Sequence, residues 1–406
     1  MDDQALFLLL QKLIVEEGIQ LQHQPLLSAC ENGNLEEVKQ LLTNPAIDPN
    51  CPEQDYYNRT PINIACEKRH YDIVKLLLND WRVDVNEPNK ADETPFWTAC
   101  RHGHTEIAKL LLNNQRVDVN KVNKSTWSPF WIACYKGQID IVKLLLNDQR
   151  IDVNQVDGSH GLTPLNVACT IGQIDIAKLV LNGQRVEINK PNKSGQTPFY
   201  SACQEGQIEI VKLLLSNGQV GVNQEMNDSS TPFYIACQNG HIEVVRLLLN
   251  DQRVDINKAM NNESTPFYAS CYNGRTEIVE LLLNDERINV NKEMNNNTTP
   301  FYIACQNGHI EVVKLLLNDQ RVDVHKTEEN IDTTPFYIAC HSGRLELVKL
   351  LLSDQRIDVN KANKDGWTPF WIACCLGHIE IVALFLENPR RNFFFFSVTK
   401  FSVLNK

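Results

Sequence analysis

Thr299-Pro300-Phe301-Tyr302-Ile303-Ala304-Cys305-Gln306-Asn307-Gly308-His309-Ile310-Glu311-Val312-Val313-Lys314-Leu315-Leu316-Leu317-Asn318 decides the fold of this chain. The stretch recurs at Thr231 to Asn250 with one change, Arg246 for Lys314, and looser copies fill most of the chain between Gln24 and Glu387. Thr299 suits a helix N-cap, because its hydroxyl accepts from an orphan backbone N–H. Pro300 suits the first helical position, where a missing N–H costs nothing. Phe301 to Asn307 then makes two helical turns, and Gly308 stands where a helix needs a left-handed stop. Glu311 favours the first turn of a second helix. That helix is apolar almost all round, so it belongs between neighbours. Neither helix is long enough to be stable alone in water. The unit must therefore stack on copies of itself. The alternating Val322-Asp323-Val324-His325 and the polar segment up to Thr333 read as an extended, exposed finger leading to the next Thr334-Pro335.

The repeat prolines are Pro25, Pro61, Pro95, Pro129, Pro164, Pro198, Pro232, Pro266, Pro300, Pro335 and Pro369, spaced 34 to 36 residues apart by subtraction of their numbers. Self-similarity at such a period indicates stacked modules. Residues 24–389 are thus expected to hold eleven repeats. Residues 1–23 are expected to form an N-terminal capping helix, since the apolar run Ala5 to Val15 follows an acidic start and is too short for a bilayer. Residues 390–406, with Phe393 to Phe396, form a tail that is either a cap or a point of truncation.

Thr-Pro-Phe-Tyr-x-Ala-Cys-x-x-Gly-His-x-Glu-x-Val-Lys-Leu-Leu-Leu followed by Val-Asp-Val-Asn resembles the ankyrin repeat, over about nine-tenths of the chain. The resemblance implies an all-α solenoid of helix-turn-helix units with β-hairpin fingers. It also implies a protein partner on the concave face. The copies depart from the family pattern in three ways. The residues after Thr-Pro are mostly aromatic, as in Phe96-Trp97, Phe130-Trp131, Phe233-Tyr234 and Phe301-Tyr302. Ring packing is expected to replace the hydrogen bonding of the family's histidine. After the second helix, Gly-Ala becomes Asp-Gln-Arg, as in Asp148-Gln149-Arg150, so an Asn or Asp is expected in the left-handed position. The finger asparagine becomes His325 in one copy.

A solenoid escapes the usual division of a 406-residue chain into two or three domains. At roughly 10 Å per helix layer, eleven repeats would span on the order of 100 Å. The net charge of −11 argues against a nucleic-acid surface. Eleven of the thirteen cysteines occupy one repeat position, and only Cys51 and Cys375 fall outside it. Equivalent positions about 10 Å apart lie beyond disulfide reach, so these read as small buried hydrophobes of a reduced, cytoplasmic protein. His-x-Glu at His104, His241, His309 and His378 lacks the Pro-Cys-x-x-Cys partner of the zinc deaminases. No phosphate-binding loop, His-Glu-x-x-His or Gly-x-Ser-x-Gly occurs. No catalytic, cofactor-binding or metal-binding residue, no enzyme activity and no membrane span is therefore expected.

Function should lie where the copies differ and face solvent. The pair after Ala-Cys qualifies, and so do the fingers. Arg101, His102, Tyr135 and Lys136, from adjacent repeats, form a basic, aromatic patch suited to an acidic segment. Gln204, Glu205 and Tyr272 hold equivalent positions. The competing reading makes them ordinary solvent positions. Trp97, Trp131 and Trp371 sit at the stacking position and read as core. The expected function is a monomeric interaction scaffold. The alternative is a regulatory or targeting fragment of a longer multidomain protein.

Overall fold

Each first helix opens as its sequence dictates. In the computed structural model, which describes residues 24–54 and 57–390, the Thr299 hydroxyl accepts from the backbone N–H of Tyr302 at 3.1 Å and Pro300 takes the first helical position. Thr60, Thr94, Ser128, Thr163, Thr197, Thr231, Thr265, Thr334 and Thr368 cap their helices in the same way. The expected capping helix over 1–23 and the tail from Arg391 lie outside the described residues.

The described residues form two bodies, divided after Gly221. In the N-terminal body, residues 24–32 and Leu35–Leu42 are helical, followed by the pairs Pro61–Glu67 with Tyr71–Asn79, Pro95–His102 with Thr105–Leu112, and Pro129–Lys136 with Ile139–Leu146. Pro164–Ile171 with Ile174–Leu181 and Pro198–Gln204 with Ile208–Leu215 complete it. The C-terminal body repeats the arrangement from Pro232–Asn239 to Ile379–Glu387. Within each body, first helices pack on neighbouring first helices and on their own second helices. The core of each body is a row of repeated side chains. Phe96, Phe130 and Phe199 are buried in one body, and Phe233, Phe267, Phe301 and Phe336 in the other.

The cysteines Cys30 to Cys340 of the repeat position are buried free thiols, as expected of small hydrophobes. Burial pushes the Cys30 thiol up to about 12 and raises the others further. Cys374, in the same repeat position, is exposed.

Two expectations are corrected. The fingers are not β-hairpins: no strand occurs among the described residues. At the third complete pair, the Asn123 N–H donates to the Trp127 carbonyl at 3.2 Å, which would be the first rung of a hairpin. The reciprocal rung is diverted, because the Trp127 N–H donates to Asn123 Oδ1 at 3.0 Å instead. Asn89, Asn192 and Asn363 take the same role, and Asp228, Asn262 and Asn296 divert an N–H likewise. Short polar side chains thus compete with the backbone ladder and win.

The second correction concerns the second helices, which do not end on a left-handed Asn or Asp. Asn113, Asn147, Asn182, Asn250 and Asn284 are all right-handed caps. The orphan carbonyls are satisfied from outside, by the arginine that follows the second helix of the next unit. Arg116 Nη2 donates to the Leu78 carbonyl at 2.8 Å, and Arg82, Arg150, Arg185, Arg321 and Arg356 reach Leu42, Leu112, Leu146, Leu283 and Leu317. Where an aspartate stands two residues before, its carboxylate holds the arginine in place, as Asp148 does Arg150 at 2.7 Å, whereas Arg116 and Arg185 follow Asn114 and Gly183. The left-handed non-glycine residues lie elsewhere, mostly at finger tips such as Asp92, Thr126 and Glu263.

A second ladder joins the units. The Asn86 amide donates to the Arg116 carbonyl at 2.7 Å and accepts from the Asp118 N–H at 2.7 Å. Asn50, Asn120, Asn154 and Asn189 repeat this in the N-terminal body, and Asn223, Asn257 and Asn291 in the other. His325 keeps the local turn, its N–H donating to Asp323 Oδ1 at 2.9 Å, but its side chain makes no bond to Arg356 or Asp358.

Candidate functional site

The expected patch is built on two first helices of the N-terminal body. Arg101 and His102 end Pro95–His102, and Tyr135 and Lys136 end Pro129–Lys136. The left-handed Gly103 and Gly137 stop these helices directly after the four residues. The helices are locked together there, since Gln138 Nε2 donates to the Arg101 carbonyl at 3.1 Å.

Trp127, Trp131 and Tyr135 recur at a spacing of four residues and form a continuous stack. Ring centroids are 4.8 Å apart for Trp127 and Trp131, and 5.5 Å for Trp131 and Tyr135. Trp131 is buried and Tyr135 is 39% exposed, so the stack runs from the core to the surface. The Lys136 ammonium lies 5.2 Å from the Tyr135 ring, and the Arg101 guanidinium 5.6 Å from Trp97. Burial lowers the His102 imidazole below its ordinary value, and the charges of Arg101, His104 and Lys136 lower it further against Glu67. The formal positive charge of the patch comes from Arg101, which Glu93 pairs at 3.2 Å, and from Lys136.

The other candidates stand apart. Gln204 Oε1 accepts from Gln196 Nε2 at 2.8 Å, and its Nε2 donates to Glu205 Oε1 at 2.9 Å, so both are engaged at the finger base two units further on. Tyr272 is half-exposed in the C-terminal body, where its carbonyl faces His309 Nε2 at 2.9 Å. Trp97 and Trp131 are buried as expected, while Trp371 is half-buried. The rings do more than pack. Trp97 Nε1 donates to the Trp127 carbonyl at 2.9 Å, Trp131 Nε1 to the Leu162 carbonyl at 3.0 Å, and Tyr302 pairs with the Thr333 hydroxyl at 2.9 Å.

Sequence reasoning missed a cleft beside the patch, of about 600 Å³, bounded by Tyr57, Asn63, Lys90, Arg101, His102 and Lys124. Its signal was available: Ile62-Asn63 breaks the aromatic pair found in most other copies.

A family model described as ankyrin repeats (3 copies) matches residues 3–89, 82–157, 99–191, 165–260, 234–328 and 320–393. The chain belongs to the ankyrin-repeat family. No curated protein matches it. Ankyrin repeats are generally protein–protein interaction modules and typically non-enzymatic. Among the described residues, no helix of this ankyrin chain is long and apolar enough to cross a membrane.

Proposed function

We propose that this ankyrin array is a protein–protein interaction scaffold of the cytoplasm. As a monomer, it holds a protein partner on the concave face and finger tips. The epitope in the N-terminal body centres on Arg101, His102, Tyr135 and Lys136 and extends toward Gln204 and Glu205. Tyr272 marks a separate contact in the C-terminal body. The observation that carries this reading is the Trp127–Trp131–Tyr135 stack. A ring already fixed by two others loses little freedom on binding, which is what an interface anchor needs. Lys136 beside its exposed end, on a chain of net charge −11, favours an acidic segment.

Affinity capture from cell extract should compare the wild-type chain with Arg101→Ala plus Tyr135→Ala. Proteins held by the wild type should be depleted with the double variant at matched thermal stability, and their capture should weaken with salt. An unchanged captured set would remove the epitope.

A further inference from the structure

The residue after the core aromatic has one structural job in this fold: to span from its first helix to the base of the next finger. Trp97 and Trp131 do so with indole N–H donors, and Tyr234, Tyr268 and Tyr302 with hydroxyls that meet Ser264, Thr298 and Thr333. Asn63 and Asn166 are too short to fill that space. Asn166 is fully engaged: its Oδ1 accepts from the Thr163 N–H and hydroxyl, and its Nδ2 donates to the Gln196 carbonyl at 3.2 Å. Asn63 is not. Its Nδ2 donates to the Glu87 carbonyl at 3.0 Å, which fixes the amide orientation, and its Oδ1 has no partner although the residue is only 2% exposed. Asn63 lines the cleft beside the patch.

The cleft walls set the charge of an occupant. Glu67 is tied to Arg59 at 2.8 Å, and Glu93 to Arg101 at 3.2 Å. Lys124 adds positive charge at the rim. The cleft therefore combines a missing ring, an unused buried acceptor and an excess of cations.

We propose that the Asn63 cleft receives a tyrosine or tryptophan side chain from an acidic segment of a protein partner. The partner's ring takes the space that Trp97 fills one unit later, its O–H or N–H serves the Asn63 amide oxygen, and a flanking carboxylate meets Lys124. This rests on the reading that this face binds a protein, and it adds which side chain is read.

The test uses the full chain and a fluorescent peptide in which one tyrosine is flanked on both sides by glutamates. Fluorescence anisotropy should show binding about tenfold tighter than to the same peptide with alanine for tyrosine. Asn63→Trp, which supplies the missing ring internally, should reduce the tyrosine peptide to the alanine level. Lys124→Glu, a rim change that leaves the core intact, should weaken both peptides, and lysine flanks should abolish binding. Equal binding of the tyrosine and alanine peptides, no binding of either, or indifference to both Asn63→Trp and Lys124→Glu would overturn the proposal. Tyr135→Ala, outside the cleft, separates the two readings. Loss of captured partners in Tyr135→Ala alongside an unresponsive cleft leaves the interaction face standing and removes the cleft alone.

Discussion

Asn120 donates its side-chain amide to the backbone carbonyl of Arg150, in the next unit, at 2.7 Å. Its Oδ1 accepts from the Asp152 N–H at 2.9 Å, so one side chain satisfies two backbone groups of its neighbour. Asn120→Ala removes both bonds and should cost about 2 kcal/mol. The counterpart is His325, where the chain lacks this joint. His325→Asn should restore it, since Asn291 already makes the same pair with Arg321 and Asp323. A gain of about 1–2 kcal/mol is expected. Urea unfolding measures both, and an unchanged midpoint for His325→Asn would refute the ladder as a source of stability.

Acid should weaken the array through its Asp-x-Arg pairs. The side-chain bond to Arg150 holds the Asp148 carboxyl below its ordinary value, and Asp80, Asp251, Asp285, Asp319 and Asp354 are lowered alike by Arg82, Arg253, Arg287, Arg321 and Arg356. A carboxyl lowered on folding stabilises the fold above its unfolded value and loses that contribution as pH falls through the folded value. The melting temperature should therefore hold from neutral pH to about 5 and drop below about 4. Asp148→Asn should make that drop shallower. A melting temperature indifferent to acid would contradict the pairing.

Gly274 and Gly377 offer a matched comparison. Both have positive φ, +66° and +74°. A Cβ on Gly274 would lie 2.6 Å from His309 Nδ1, whereas one on Gly377 would meet nothing within 4 Å. Gly377→Ala should cost about 1 kcal/mol, for the backbone alone. Gly274→Ala should cost more, because His309 must also leave the Tyr272 carbonyl. Equal losses by thermal denaturation would show that the histidine contact is immaterial.

Trp97 separates packing from hydrogen bonding. Trp97→Phe keeps a ring but leaves the Trp127 carbonyl without its indole donor, a loss of about 1–2 kcal/mol. Trp97→Ala adds a cavity and should cost about 3–5 kcal/mol. If the two variants unfold at the same urea concentration, the ring contributes nothing by packing.

Helix caps, stacking and thiol burial were legible because each rests on a local residue type repeated in register: Thr299 before Pro300, Gly308 after Asn307, Cys305 among small neighbours. The finger geometry was not, because alternation in Val322-Asp323-Val324 records which side chains are buried and says nothing of where the backbone N–H groups go. Asn123 takes one of them, and the hairpin never forms. The helix ends were misread for a related reason: Arg116 caps a helix at a carbonyl 38 residues earlier, and no local pattern announces a partner so far away. Of the candidate site, the four-residue spacing of Trp127, Trp131 and Tyr135 was in plain view. The Asn63 cleft is a property of what its neighbours have and it lacks.

The buried repeat thiols carry an experimental consequence. From Cys66 to Cys340, each module with a complete helix pair holds its own cysteine at the common inner position, shielded from solvent in the native state. Alkylation of that cysteine requires its module to loosen. Peptide mapping after timed labelling would then yield an opening rate for every module from a single unmodified sample, an internal clock set at regular intervals along the chain.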